Sequence, residues 1–461
     1  MTSTESEHAC PMHRPGAASF PGEACLPPGP VGAPQALLAA WSADPYGFLF
    51  RCRDAHGDCF TVDLGPFGKR IVFSAPHHLK ALFTAPDGAL LGARGNEVLA
   101  PIVGKSSAFV LDGPAHLACR RLMLPAFTGA ALDASGSALL EAVDASLEEV
   151  ESAPRVIDMV EYASRVLLRA TVRLLFPHGD AGLVEGVSAA LGDIGAMLRA
   201  DTGSMGAGMG GLRAGKARLD EILAPFLAGR RATLRCAVRA PSEAPHMGNF
   251  VDRCLQAGLG DDAIRDQIVT LLAAQDASAT TVAWGAHFLF RYPVIHAALV
   301  AAAAEVDLSA PGAEIPGLAH FVMEVLRLRP PAPMASRGVG RPITIGEYRL
   351  LPGSYAIGAI LLAHHRAETF PHPERFEPAR FRERKYSQYE YLPFGGGVHR
   401  CVGFQFSPYE LQLVLGRLLQ RCHLAPVDAS DVGDPRASWR VATTSPSTGI
   451  PTRMTIRSER A

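Results

Sequence analysis

The stretch Phe394-Gly-Gly-Gly-Val-His-Arg-Cys401-Val-Gly403 delivers one cysteine from a glycine-rich loop directly ahead of a helix-like run. The apolar spacing Leu411, Val414, Leu415, Leu418 fits one face of a helix, and residues 402–410 read as its opening turns. Cys401 is therefore expected near a helix N-terminus. Unpaired backbone N–H groups and the positive dipole end favour an anion there, and the neighbouring His399 and Arg400 add to that bias. A thiolate, and hence a metal ligand, is the expected state. Gly395, Gly396 and Gly397 carry no Cβ and can take backbone angles closed to other residues, so a flat ligand could approach the main chain closely. An isolated cysteine is more often an inert small hydrophobe and a glycine triplet a plain turn, so context has to decide.

The loop resembles the haem-thiolate signature of the cytochrome P450 family, Phe-x-x-Gly-x-x-x-Cys-x-Gly, at Phe394, Gly397, Cys401 and Gly403, and continues in register to Ser407 and Glu410. The resemblance implies haem b as cofactor and Cys401 as its iron ligand. Short patterns are weak alone, and the weight comes from further elements in the family's order. Glu324-Val-Leu-Arg327 places an acid and an arginine at i and i+3 in an apolar setting, followed by Pro373-Glu-Arg375-Phe376. By resemblance Glu324, Arg327 and Arg375 form a buried structural triad. In Gly113-Pro-Ala-His116-Leu-Ala-Cys-Arg120, His116 and Arg120 lie four apart on one helical face. The family's counterpart reaches a haem propionate, with Arg337 and His399 as further partners, and the guanidinium fork suits a carboxylate.

Residues 266–290 read as one long, mostly apolar helix with Asp276 in its middle. A buried acid must be paired or functional, because burying it alone is expensive. The family has here an acid followed by a threonine that helps deliver protons to iron-bound oxygen. This chain has Asp276-Ala277-Ser278, so the acid is present and the threonine is alanine. Ser278 lies about 100° further round the helix and cannot simply replace it. Three readings stand: a hydroxylase in which a substrate hydroxyl or water replaces the threonine; a local bulge that turns Ser278 inward; or haem-thiolate chemistry without oxygen insertion, as in an isomerase, a dehydratase-like enzyme or a ligand sensor.

The chain has 461 residues, 48% of them apolar, enough to bury a large core. Most segments are helical in pattern; strand-like runs are confined to residues 59–64, 70–73, 343–345 and 355–357. The resemblance implies a mainly α fold with small β-sheets (α+β), a triangular helical domain around a buried haem, as one domain over 26–461 behind a loose tail over 1–25. Nine cysteines without a C-x-x-C pair argue against a zinc ribbon or a cysteine-ligated cluster. No signal peptide or apolar span opens the sequence, so a cytoplasmic protein without a membrane anchor is expected. A formal charge of −1 points away from nucleic acid. Arg380, Arg382, Arg384 and Lys385, with Arg120, Arg121 and Arg400, are expected to form a basic face for an acidic electron carrier, or else a solubilising loop. The resemblance implies a monomer receiving NADPH or NADH electrons from a ferredoxin or flavodoxin and its reductase. It places Leu272, Ala273, Ala277, Ala332 and Pro333 in the substrate pocket, a lining that favours a hydrophobic guest such as a terpenoid, fatty acid or polyketide-like molecule. The expected function is monooxygenation, with Asp276 supplying protons and residues 200–215, rich in glycine, forming a mobile gate or a plain linker.

Overall fold

The structure, a computed structural model, describes residues 24–457 except 129, 150–154, 178, 200–204, 240–248, 429–431 and 441–442. The expected tail therefore lies outside the described residues up to position 23. Cys25, assigned to that tail, exchanges both backbone hydrogen bonds with Arg349, at 3.1 and 2.9 Å. The chain divides into two compact units, one formed by residues up to 98, 332–375 and 385–401, the other by 99–331, 376–384 and from 402 on.

The first unit is built on a five-stranded sheet in the order Cys59–Asp63, Lys69–Phe73, Tyr355–Gly358, Ala335–Val339, Leu90–Leu91. The first two strands form a hairpin whose turn uses Gly65 and Gly68 at φ 61° and 79°, angles that favour glycine. Ile71, Phe73, Leu79, Leu82, Ala356 and Leu392 pack into its apolar core. Three of its strands and the separate hairpin at Ile343–Ile345 and Tyr348–Leu350 contain the strand-like runs of the sequence. Ala335–Val339 carries no apolar alternation to announce it. Both neighbours hold it instead, Arg337 opposite Ala356 and Gly338 opposite Leu91.

The second unit is mainly helical. Helices Met159–Leu175, Ala181–Arg199, Met205–Arg239 and Asp261–Arg291 share a core that includes Val172, Leu191, Ile194, Leu219 and Ile268. The expected gate or linker over 200–215 is corrected in part. Residues 200–204 lie outside the described residues, and from Met205 the chain is helical. Each internal glycine costs a helix about 1 kcal/mol. Leu212, Leu219, Leu223 and Leu227 bury a continuous apolar stripe on this helix, which offsets that cost. A three-stranded sheet, Arg155–Asp158, Pro451–Ile456 and Cys422–Pro426, and the hairpin Ala437–Trp439 with Thr444–Pro446 complete the unit. Among the described residues no single helix is long and apolar enough to cross a membrane.

Asp261–Arg291 is the core helix, unbroken over 31 residues. From Asp266 to Leu289 every position is buried except Ala274, Gln275 and Ala277. Between those two residues the helix is therefore buried nearly all round, as a central element must be, and opens only in its middle.

Candidate active site

Cys401 ends the first unit's glycine loop. Its backbone N–H donates to the Phe394 carbonyl at 3.0 Å, and the Gly395 and Arg400 amides donate to Leu392 and Gly397 at 2.9 and 3.0 Å. Gly397 has φ 69°, and a Cβ there would stand 2.5 Å from the Phe83 carbonyl oxygen. A Cβ on Gly396 would meet the Phe83 ring. Two of the three glycines thus serve close packing on Phe83, whereas nothing lies within 4 Å of the Cβ position of Gly395. The following helix, Phe406–Arg421, starts later than expected. Residues 402–405 are turn, so the helix dipole, which acts within about one turn, is no longer the explanation for a thiolate at Cys401.

Accessibility distinguishes Cys401 instead. It is exposed, whereas Cys52, Cys59, Cys254 and Cys422 are buried. Burial pushes the Cys52 thiol up to about 11 and those of Cys59, Cys254 and Cys422 up to about 12, so all four stay protonated and inert near neutrality. Half-buried Cys119 is also raised by burial.

Arg337 and His399 approach the same short segment of the first unit. A Cβ on Gly92 would lie 2.4 Å from His399 Nε2, and one on Gly95 would lie 2.2 Å from the Ser336 carbonyl oxygen. The turn Gly92–Gly95 is thus wedged between the imidazole and the strand that carries Arg337. Arg337 Nη1 donates to the Ser336 carbonyl at 2.8 Å, and its guanidinium lies 5.8 Å from the Phe83 ring centre. Ala332 and Pro333 also belong to this unit, where the Leu361 amide donates to Pro333 O at 2.9 Å.

In the second unit, Glu324 and Arg327 lie on the helix Leu318–Leu328, and both are fully buried. Arg327 Nε and Nη2 donate to the two Glu324 oxygens at 2.7 and 2.8 Å. The remaining partners are the Glu377 amide at 2.8 Å and Arg380 Nε at 3.0 Å, both on Oε1. This corrects the expected triad, because Arg375 is exposed and the third place belongs to buried Arg380. Pro-x-Arg-Phe occurs twice, at Pro373 to Phe376 and at Pro378 to Phe381, and the second copy supplies the inward arginine. Arg380 accordingly leaves the basic surface group, whereas Arg382, Arg384 and Lys385 remain exposed.

His116 and Arg120 share the helix Gly113–Met123. The buried imidazole is fixed by Nδ1–H donating to the Ala108 carbonyl at 2.9 Å, and Arg120 is half-buried.

On the core helix, Asp276 is buried and accepts from Thr443 Oγ1 at 2.6 Å. Ala274, Gln275 and Ala277 form the open stretch; Leu272 and Ala273, expected to line the pocket, are buried in the apolar core. Ser278 does not replace the missing threonine. The helix has no bulge, and Ser278 Oγ sits 3.4 Å from Ser407 Oγ on the helix Phe406–Arg421. Near it Glu410 is buried, and desolvation pushes its carboxyl up to about 7 against hydrogen bonds from Ser278 and Gln275 that favour the ionised form. Sequence reading missed Thr443 and Arg380. A run of hydroxyls, Thr443-Thr444-Ser445, and the repeated Pro-x-Arg-Phe were their only signals.

The family model for Cytochrome P450 matches residues 205–451. The chain is 31% identical over 426 residues to "Putative cytochrome P450 137" of Mycobacterium tuberculosis (strain ATCC 25618 / H37Rv), covering 87% of this chain and 85% of the relative. It is 30% identical over 421 residues to "Putative cytochrome P450 135B1" of Mycobacterium bovis, covering 88% and 87%. A further relative, "Putative cytochrome P450 138" of the same organism, is 29% identical over 426 residues, covering 90% and 93%. Signature loop, buried Glu-x-x-Arg pair and likeness over most of both chains agree: this chain belongs to the cytochrome P450 family, as a haem-thiolate monooxygenase whose cofactor is haem b.

Proposed function

We propose that the protein inserts one oxygen atom of O2 into a hydrophobic small molecule of terpenoid, fatty-acid or polyketide type, acting as a cytoplasmic monomer with one catalytic domain over 26–461. Electrons come from NADPH or NADH through a ferredoxin or flavodoxin and its reductase, for which exposed Arg382, Arg384 and Lys385 offer positive charge to an acidic carrier. The observation that carries the substrate class is the core helix, buried from Asp266 to Leu289 except in its middle, where Ala274 and Ala277 present small apolar side chains.

The residues fit the cofactor. Among the described free cysteines Cys401 is the exposed one, and Gly395 leaves the loop open beside it. Haem held by a cysteine thiolate supplies dioxygen activation, since the thiolate's electron density favours O–O cleavage. Cys401 acts as the metal ligand, with Phe394, Gly397 and Gly403 shaping its loop. His116, Arg120, Arg337 and His399 bind the propionates, charge-assisted hydrogen bonds suited to a carboxylate. Glu324, Arg327 and Arg380 brace the fold. Asp276 holds and passes protons, and Ala277 keeps the open face small.

A library screen for substrate-induced Soret shifts, followed by turnover with ferredoxin, reductase and NADPH, tests this reading. An oxygenated product from an apolar hit is expected. Hits confined to strongly polar compounds, or NADPH use that leaves every hit unchanged, would overturn it.

A further inference from the structure

Three hydroxyl side chains follow Asp276 on the core helix within five residues, and all three are engaged elsewhere. Ser278 Oγ meets Ser407 Oγ at 3.4 Å, Thr280 Oγ1 meets Ser445 Oγ at 3.4 Å, and Thr281 Oγ1 donates to the Ala277 carbonyl at 2.9 Å. The hydroxyl that does reach the acid comes from another element. Thr443 Oγ1 donates to Asp276 Oδ2 at 2.6 Å, within the range of a hydroxyl bonded to an ionised carboxylate. The two side chains are 5% and 8% exposed, so the bond is shielded from bulk water.

Thr443 is itself held firmly. Its carbonyl accepts from the Arg440 amide at 2.7 Å, and the next residue, Thr444, donates its amide to Pro331 O at 2.7 Å. A second feature lies beside the acid. Asp276 lines a cavity of about 20 Å³ together with Ser164, Leu168, Leu191, Leu272 and Gln275. Two of these lining residues, Ser164 and Gln275, each have a buried oxygen, Oγ and Oε1, without a hydrogen-bond partner. A cavity of that size admits one water, and such a water needs two to four polar partners, which Ser164, Gln275 and Asp276 can provide.

We infer that Thr443 is the positioning residue of Asp276, supplying from the adjoining hairpin the hydroxyl that position 277 lacks, with a water held by Ser164 and Gln275 as the acid's source of protons. This rests on Asp276 being the proton carrier. That water passes one proton to the Asp276 carboxylate and takes one up from solvent, so that it remains water; Thr443 holds the carboxyl in the orientation from which the proton is released again. No electron moves in these steps.

The test compares Asp276→Asn, Thr443→Val, Thr443→Ala and Thr443→Ser in the holoenzyme with ferredoxin, reductase and NADPH, reading hydrogen peroxide released per NADPH consumed. Carbon monoxide spectra check haem content. Val and Ala are expected to raise peroxide severalfold, as Asn does at position 276, with Ser returning to wild type. A merely structural threonine would lower the melting temperature in Val and Ala while leaving peroxide unchanged, and that result overturns the inference with Asp276 untouched. An unchanged Asp276→Asn would sink the proton-carrier reading itself. Independently of turnover, a crystal structure of the holoenzyme should show water bonded to Ser164 and Gln275 and one Asp276 rotamer that is lost in Thr443→Ala. A dry cavity, or the same rotamer in the variant, also overturns it.

Discussion

Arg380 Nε lies 3.0 Å from Glu324 Oε1, on a carboxylate that Arg327 already grips at 2.7 and 2.8 Å. Glutamate and first arginine are fully buried and stay paired without Arg380, so its removal takes away one buried charge-assisted hydrogen bond rather than the pair itself. Arg380→Ala is therefore expected to cost about 1.5–3 kcal/mol. Arg375→Ala, at an exposed position off the Glu324 carboxylate, should cost clearly less. Urea unfolding of the two variants measures the contrast, and equal losses would refute the assignment.

That contrast also marks how far the sequence could be read. Glu324 and Arg327 share one helical turn, so spacing alone predicts their pairing. Arg380 is brought in over 56 positions by the path of an irregular segment, and two identical-looking Pro-x-Arg-Phe stretches cannot be ranked without seeing which faces inward. The long core helix was legible from its apolar run; its partner Thr443, 167 positions away, was not, because a hydroxyl in a turn has no periodicity. The strand bearing Arg337 was hidden for a related reason. Its neighbours, rather than its own side chains, make it a strand.

Glu410 gives the protein a pH dependence that can be isolated. Burial raises its pKa from 4.5 to about 7, so the native state holds this proton where the unfolded chain has lost it. The sign follows: the contribution is fully present below 4.5 and is lost as pH rises through about 7. Integrated over that window it amounts to about 3 kcal/mol. Wild-type stability, measured relative to Glu410→Gln by denaturant titration, should fall by that order between pH 4.5 and 7. A constant difference across the window would contradict a raised pKa.

Among Cys52, Cys59, Cys119, Cys254, Cys401 and Cys422, Cys401 should be the first to react in the haem-free protein, since it is exposed while burial holds Cys59, Cys254 and Cys422 near 12. Mass spectrometry after brief alkylation at neutral pH reads the order directly, and bound haem should protect the site. Cys401→Ala should lose the thiolate-shifted Soret band of the reduced carbon monoxide complex. Retention of that band would remove Cys401 from the iron.

Ala277→Thr separates two accounts of the missing hydroxyl. Position 277 is half-buried next to exposed Ala274, so the added atoms have room on the open side of the helix, and threonine keeps a restricted choice of rotamers there. If the wild-type proton supply were merely weak, the substitution alone would lower peroxide release and raise product per NADPH. If Thr443 already serves Asp276, the single change does little, yet it should rescue Thr443→Val, because either hydroxyl then completes the acid's surroundings. Coupling measured in the two single variants and the double variant decides between them. The outcome expected from the 2.6 Å contact is rescue in the double variant with near-silence in Ala277→Thr alone.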